Sequence, residues 1–405
     1  MIFYKETAFQ ETLIGKIPSA WNITKLGEVF RFRNGERPKI QGVGDIPIFG
    51  ANGIMGYTNE ALVDNEFTIV VGRVGASGQV HLGTGKIWVS DNAIYSEEYN
   101  NTKVYPPFLF YLLRYKKLEQ FASKTTHPII TQTFLNNFLI ELPPIEEQRA
   151  VAGVLGVVDS VIAKTDEVIA KTERLKKGLM QTLLTRGIGH KEFKETEIGK
   201  IPKTWQVVKV EDVAEIRRNK SINDFEKIAF IPMELIPDSQ IFAKYEIKAK
   251  EEVRSFTYCE AGDILLAKIT PSLENGKQGI VPFDVPNKIA LATTEVFPIC
   301  CKGINRFFLF YVLKFSKFRN KIIASMIGTT GRQRASKESV ERLKIPLPPI
   351  EEQQKIVEIL SDVDNKLELE RNEKARLERI KRGLMDLLLT GKVRVKVGCD
   401  AVCSG

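Results

Sequence analysis

The 405-residue sequence is poor in the side chains on which most metal and nucleophile chemistry depends. It has three histidines, His81, His127 and His190, and five cysteines. The histidines are scattered and form no triad or metal spacing. Cys259, Cys300 and Cys301 read as reduced core thiols; Cys399 and Cys403 fall in a polar tail with no histidine at zinc-site spacing. No apolar run approaches the ~18 residues that a membrane-spanning helix needs. The start, Met1-Ile2-Phe3-Tyr4-Lys5-Glu6, lacks a signal-peptide pattern, which predicts a cytoplasmic protein without a membrane partner. Charged residues are 27% and hydrophobic ones 43%, so the chain should build real cores. Its net charge of +9 favours a polyanionic partner.

Enzyme signatures are missing as well. Gly72, Gly75 and Gly78 form a turn-rich loop, not a strand-borne phosphate cradle, and there is no Walker A segment. Tyr105-Pro106-Pro107-Phe108 has the outline of the Asn/Asp-Pro-Pro-aromatic motif of amino-methyltransferases. Tyrosine cannot replace the amide or carboxylate that accepts the target amine there, so a proline-started helix is the better reading. Pro237-Asp238 with Glu246-Ile247-Lys248 outlines a Mg²⁺-binding nuclease site. The other half of the chain has no counterpart, and a solvated strand edge explains these residues.

What the chain does have is a repeat. Leu142-Pro143-Pro144-Ile145-Glu146-Glu147-Gln148 returns as Leu347-Pro348-Pro349-Ile350-Glu351-Glu352-Gln353, 205 residues on. Lys176-Lys177-Gly178-Leu179-Met180 returns as Lys381-Arg382-Gly383-Leu384-Met385 at the same offset. Each stretch reads as one long helix of ~60 Å. Its prolines suit a helix start, and its acidic pair meets the positive end of the helix dipole. Val151, Val154, Val158, Val161, Val168, Leu175 and Leu179 step by three and four, with Thr165 and Thr172 filling the register and Leu155, Ile162 and Ile169 widening the stripe. Ile356, Ile359, Val363, Leu377, Ile380 and Leu384 repeat the stripe, flanked by Leu360 and Leu367. Glu167–Lys171, Glu173–Lys177, Glu370–Lys374 and Glu378–Arg382 are expected to pair along each helix. Neither helix can bury its stripe alone, so the two should bury it on each other.

The repeat reaches into the intervening segments at smaller offsets. Gly15-Lys16-Ile17-Pro18 with Trp21 matches Gly199-Lys200-Ile201-Pro202 with Trp205. Ile69–Val74 resembles Ile264–Ile269, and Phe108–Leu113 resembles Phe308–Leu313. Shared scaffold with drifted loops is the mark of a tandem duplication. The expected organisation is a first domain over 1–141, a helix over 142–187, a second domain over 188–346, a second helix over 347–395, and a disordered tail over 396–405. Each domain reads as α+β with a mostly antiparallel sheet. Strands are expected over Glu66–Val71, Gln79–Leu82, Lys86–Val89, Asp263–Ile269, Gln278–Val281 and Ala290–Ile299. Helices are expected over Pro107–Phe121 and from about Asn305 to Met326.

Basic and amide-bearing residues recur at corresponding places in the two halves. Arg31, Arg33, Asn34, Arg37 and Lys39 are matched by Arg217, Arg218, Asn219 and Lys220. Arg73 and Lys268 end equivalent strands. Thr330, Arg332, Gln333 and Arg334 precede the second long helix, as Lys124 and Gln132 precede the first. Arg and Asn or Gln read base edges, and Lys and Thr suit phosphates, so the set points to nucleic-acid contact.

With these motifs in place the chain resembles the specificity subunit of a type I restriction–modification enzyme, over about residues 11 to 395. The resemblance implies two target-recognition domains, each reading one half of a split double-stranded DNA site. It implies two helices packed as an antiparallel coiled coil that act as a spacer. It also implies two methyltransferase subunits that carry S-adenosylmethionine, and restriction subunits that use ATP and Mg²⁺. The recognition subunit itself is expected to bind no cofactor or metal and to have no catalytic residue. A stand-alone nuclease or methyltransferase, and a purely structural coiled-coil protein, are the alternatives.

Overall fold

The computed structural model describes residues 1–38, 44–123, 128–220, 225–329 and 331–396. They form two units: residues 1–166 with 373 onward, and residues 167–372. Both unit boundaries fall inside the long helices, so each unit holds one domain together with part of each helix.

In the first unit a six-stranded sheet runs in the order Phe30–Asn34, Ala93–Tyr99, Val63–Gly72, Val80–Val89, Ile46–Gly50, Gly53–Thr58. All its pairs are antiparallel except Ile46–Gly50 against Val80–Val89. The expected break between Gln79–Leu82 and Lys86–Val89 is absent, and one strand, Val80–Val89, covers both. A register shift between Asn65 and Thr68 lets the neighbouring strand follow, opposite Gly83 and Gly85. The helix Pro106–Tyr115 packs Phe108, Leu109, Leu112 and Leu113 into the core, none of them exposed. It ends sooner than Phe121: Lys117 takes a left-handed φ of 50°, and a short 3-10 turn, Leu118–Phe121, follows.

The second unit carries two four-stranded sheets. One has the order Ala214–Ile216, Val296–Cys301, Ile264–Ala267, Gln278–Ile280; the other has Glu246–Ala249, Lys227–Ile231, Ile289–Ala292, Thr257–Glu260. The expected strand Ala290–Ile299 is thus two strands in different sheets. The chain changes sheet near Thr293, whose N–H donates to Ile231 O. The helix expected to Met326 is also two, Arg306–Lys314 and Ser316–Ala324, broken at Phe315 by an extended ψ of 124°.

The long helices span Ile145–Arg186 and Ile350–Leu389. The prolines stand directly before each helix start, as their fixed φ suits. Pro144 O accepts from Glu147 and Gln148 N–H, and Pro349 O accepts from Glu352 and Gln353 N–H. One heptad position of the seam, Val151 to Thr165 and Thr172, falls as expected, and the other moves one residue on, to Leu155, Ile162 and Ile169. Val151, Leu155, Thr165 and Thr172 are buried, with Val158, Ile162 and Ile169 between them, whereas Val161 and Leu175 are exposed. Ile356, Leu360 and Leu367 continue the same register in the second helix, and Ile359 and Ile380 face outward.

Within each unit the two helices run antiparallel. In the first, Asp159 pairs with Lys381 at 2.5 Å and Asp166 with Lys374 at 2.7 Å. In the second, Glu173 pairs with Arg371 at 2.6 Å and Lys176 pairs with Asp364. Of the four expected pairs along one helix, only Glu167–Lys171 forms, at 3.5 Å. Glu173 and Lys374 reach across instead, because flanking positions of a two-helix seam face the partner helix.

Lys396, the first residue of the expected tail, belongs to a strand instead. Lys396 pairs with Ile2 in an antiparallel ladder between Val393–Lys396 and Ile2–Lys5; residues 397–405 lie outside the described set.

Candidate nucleic-acid interface

The repeated Glu-Glu-Gln sequence builds the frame that carries the candidate residues. Gln148 is fully buried: its Oε1 accepts from Tyr105 N–H at 2.8 Å, and its Nε2 donates to Lys103 O and Pro143 O, each at 2.9 Å. Gln353 does the same, accepting from Asn305 N–H and donating to Pro348 O. Each glutamine thus ties the start of a long helix to the start of its domain's core helix. Tyr105 lies in this joint with Arg149 over its ring at 4.7 Å, in keeping with a proline-started helix and not a methyltransferase motif.

The second glutamate of each copy holds the segment that follows the other copy's helix. Glu147 receives both Nε and Nη2 of Arg394 at 2.6 Å, and Arg394 also donates to Glu6 at 2.7 Å. Glu352 receives Trp205 Nε1 at 2.8 Å and Ile188 N–H at 2.9 Å, with His190 Nε2 also 2.8 Å away. Beside the helix dipole, to which their charge suits them, these glutamates thus have a second role. Their burial was not legible from charge; the one available signal was their exact recurrence beside an invariant-length helix.

On this frame the first-half candidates are drawn together. Gln132 donates to Phe32 O, between Arg31 and Arg33 on the strand Phe30–Asn34. Arg31, Arg33 and Gln132 line one open cleft of about 560 Å³. Arg33 pairs with Glu97 at 2.6 Å, and Arg31 reaches the same carboxylate at 3.3 Å. Asn34 and Arg37 are exposed, and Arg37 has no ion partner among the described residues. Arg73 O accepts from Ile130 N–H, which joins the strand end to the segment before Gln132. Lys39 and Lys124 lie outside the described residues.

The second-half candidates fall into two groups. Arg217 is only 17% exposed and holds Asp263 at 2.5 Å and Glu260 at 2.9 Å. Burial pushes the Asp263 carboxyl up, and the Arg217 guanidinium opposes that rise. Asn219 is also engaged internally, accepting from Tyr258 N–H and donating to Phe256 O. Lys220 pairs with Glu260 at 3.1 Å and lies over the Tyr258 ring, while Arg218 is exposed with no ion partner among the described residues. The other group is built on Lys268, whose N–H donates to Glu295 O and whose carbonyl accepts from Ala335 N–H. Arg334 forks onto the Glu295 carboxylate at 2.8 and 3.0 Å and holds that carboxyl below its usual range. Arg332 and Gln333 stand on the same short strand, Arg332–Arg334, paired with Ile327–Thr329. Arg332 is exposed and unpaired among the described residues. Thr330 lies outside them.

The nuclease outline does not assemble. Glu246 and Lys248 pair with each other at 2.8 Å on an outer strand, and no three His, Cys, Asp or Glu side chains form a metal set among the described residues. No helix is long and apolar enough to cross a membrane, among the described residues.

Residues 18–174 and 202–379 each match the family described as type I restriction modification DNA specificity domain. The type I restriction enzyme MjaVIII specificity subunit of Methanocaldococcus jannaschii is 29% identical, over 98% of this chain and 98% of that protein. The putative MjaX specificity subunit of the same organism is 28% identical, over 97% and 98%. The crystal structure of the type I restriction-modification S subunit from M. genitalium aligns over 97% of this chain and all of that one, with a TM-score of 0.61 at 16% identity, which supports the same fold. Two family matches in tandem, each ending within a long helix, place the chain: it belongs to the type I restriction–modification DNA specificity family.

Proposed function

We propose that the chain is the DNA-reading subunit of a type I restriction–modification complex and catalyses no reaction itself. Each domain reads one half of a bipartite site, and the two half-sites differ because the cation-bearing loops differ. The observation that carries this reading is the double family match on a chain whose halves share rods, glutamine joints and glutamate clasps but not loops. Exposed Arg37, Arg218 and Arg332, without ion partners among the described residues, make the first phosphate or base contacts, with Gln132 and Gln333 as amide readers.

The long helices set the spacing between the half-sites. Two methyltransferase subunits and the restriction subunits dock on the chain in the cytoplasm, and S-adenosylmethionine, ATP and Mg²⁺ reside on them. Outward apolar side chains support docking on the helices: Val157 at 65% exposure in the first unit, Leu369 at 70% in the second.

The test is methyl transfer to DNA by the purified chain with and without its methyltransferase partner. Transfer only by the pair is expected; turnover by the chain alone, with S-adenosylmethionine or with Mg²⁺, would overturn the reading. Deleting four residues in register from one helix, about one turn or ~6 Å, should shorten the unread spacer by one or two base pairs. An unchanged spacer would defeat the ruler.

A further inference from the structure

The six-stranded sheet of the first domain ends in a tight hairpin with an apolar outer face. Its strands Ile46–Gly50 and Gly53–Thr58 pair antiparallel, and only Ala51 and Asn52 lie between them. Gly53 closes the turn with a φ of 102°, which glycine adopts without strain. Gly53–Thr58 is the last strand of the sheet, so its outer edge is unpaired among the described residues. Ile54 and Met55 are each 54% exposed. Asn52 is exposed as well, and its amide has no hydrogen-bond partner among the described residues.

The turn stands between two of the basic segments. On one side Ser90 N–H donates to Phe49 O at 2.8 Å, and a Cβ on Gly35 would collide with Ser90 O. The chain just after Arg33 and Asn34 therefore abuts the end of the hairpin. On the other side a Cβ on Gly72 would lie 2.8 Å from Ala51 O, which puts the turn beside Arg73. His81 holds the turn in place: its Nε2 is 3.1 Å from Ala51 O, and a Cβ on Gly53 would lie 3.6 Å from its Cε1. Met55 is laid across the turn, with its Sδ 3.0 Å from where a Cβ on Gly50 would be. The chain leading into the hairpin, at Gly44, lies against Thr58 at the opposite end.

We propose that the turn Gly50–Met55 enters the major groove of the half-site read by the first domain and recognises an A·T pair there. Asn52 takes the adenine edge, and Met55 with Ile54 covers the thymine 5-methyl group. The inference rests on the DNA reading above and names the element that performs it in one half-site. A two-stranded ribbon fits the width of the major groove, an amide matches adenine N6 and N7, and apolar side chains match the methyl. Phosphates line both walls of that groove, and cations flank this turn on both sides. Edge pairing with another protein chain would use the backbone of Gly53–Thr58 and leave Asn52 idle.

The second domain builds the corresponding place differently. Lys227–Ile231 has one parallel neighbour, as Ile46–Gly50 does, and pairs antiparallel with the outer strand Glu246–Ala249. Residues 232–245 intervene there, so no tight turn is presented. Recognition by a hairpin turn belongs to the first half-site alone.

The test is methylation of a random-sequence duplex library by the full chain with its methyltransferase partner and S-adenosylmethionine. Methylated motifs are mapped for wild type, Asn52→Ala and Met55→Ala; both positions are exposed, and melting curves check that the variants stay folded. Discrimination at one A·T pair should fall at least about fivefold in the half-site that Arg332→Ala leaves intact, with the other half-site unchanged. Neither variant alters charge, so the salt slope of binding should stay at the wild-type value. Replacing that thymine by uracil removes only the methyl group. It should slow methylation by wild type and leave Met55→Ala indifferent. A wild-type map with two half-sites, and variants that leave both unchanged, overturns the inference and spares the DNA reading. A wild-type map without two half-sites removes both. Equal use of thymine and uracil by wild type also overturns the inference. So does a wild-type dimer that Met55→Ala dissociates while the motif stays the same, which would assign the edge to a second copy.

Discussion

Lys381 Nζ lies 2.5 Å from Asp159 Oδ1, and its repeat counterpart Lys176 makes the same pair with Asp364. Each aspartate also accepts a tyrosine hydroxyl from its own domain, Tyr111 or Tyr311, at 2.8 Å. One helix therefore presents its carboxylate to its own domain and to a lysine from the other copy. A duplication with antiparallel helices makes this arrangement twice from one sequence.

Removing one member of the more buried pair should cost most. Lys176→Met is expected to lower unfolding free energy by about 3 kcal/mol, because it leaves Asp364 charged and nearly enclosed. The double variant Lys176→Met with Asp364→Asn should cost less than the sum of the two single changes. Urea unfolding of the four proteins measures the coupling, and additive costs would contradict it.

The glutamate clasps can be separated by what they leave behind. Glu147→Gln strands the buried Arg394 guanidinium with Glu6 as its remaining carboxylate partner, and should cost about 3 kcal/mol. Glu352→Gln keeps an oxygen for only one of Trp205 and Ile188 and sets its amide NH2 against the other, but it strands no buried guanidinium, so a smaller loss of about 1–2 kcal/mol is expected. Equal losses in thermal or urea unfolding would argue against the ion pair as the difference.

The arginines of the candidate interface should divide into two classes. Arg332→Ala and Arg37→Ala are expected to leave stability within about 0.5 kcal/mol and to reduce the salt slope of DNA binding by about one each. Arg217→Ala should instead destabilise the second domain by about 3 kcal/mol, since it abandons Asp263 in the core. Gel-shift titrations across salt, beside denaturation of the same variants, distinguish the classes. A salt-independent affinity for the wild type would count against the basic segments altogether.

Lys314 gives the second unit a pH dependence. Burial, aided by Lys176 and Arg319, holds its ammonium down to about 7 from 10.5, while Asp238 and Asp364 act the other way. The unfolded chain therefore binds more protons than the folded one between those values, and this residue's contribution to stability rises with pH across that window. From pH 7 to 9 the unfolding free energy of wild type relative to Lys314→Met should increase by a few kcal/mol at most. A difference that is flat or falls with pH would contradict the assignment.

The tandem architecture was legible because length-conserved helices and their proline starts leave a signature in spacing. The seam was legible at one heptad position, Val151, Val158, Thr165 and Thr172, and one residue out of phase at the other. Val161 and Leu175 fit the stripe as hydrophobic residues yet stand exposed, while Thr165 and Thr172 fill their register positions on the buried face by returning their hydroxyls to Val161 O and Val168 O. Arg217 was legible as a cation, but not as an internal one, since Asp263 is distant in sequence and joins it only when two strands of one sheet bring them together. Arg332, a cation of the same kind in sequence, does stand exposed. Composition identifies charge, and the fold alone decides whether a carboxylate already holds it.

The most direct measurement is a map of methylated bases in DNA from cells that express this chain with its methyltransferase partner, for wild type and for Arg332→Ala. The account predicts a bipartite motif of two unlike half-sites at one spacing, with Arg332→Ala relaxing the half-site read by the second domain alone. A single contiguous motif, or equal relaxation of both halves, would contradict it.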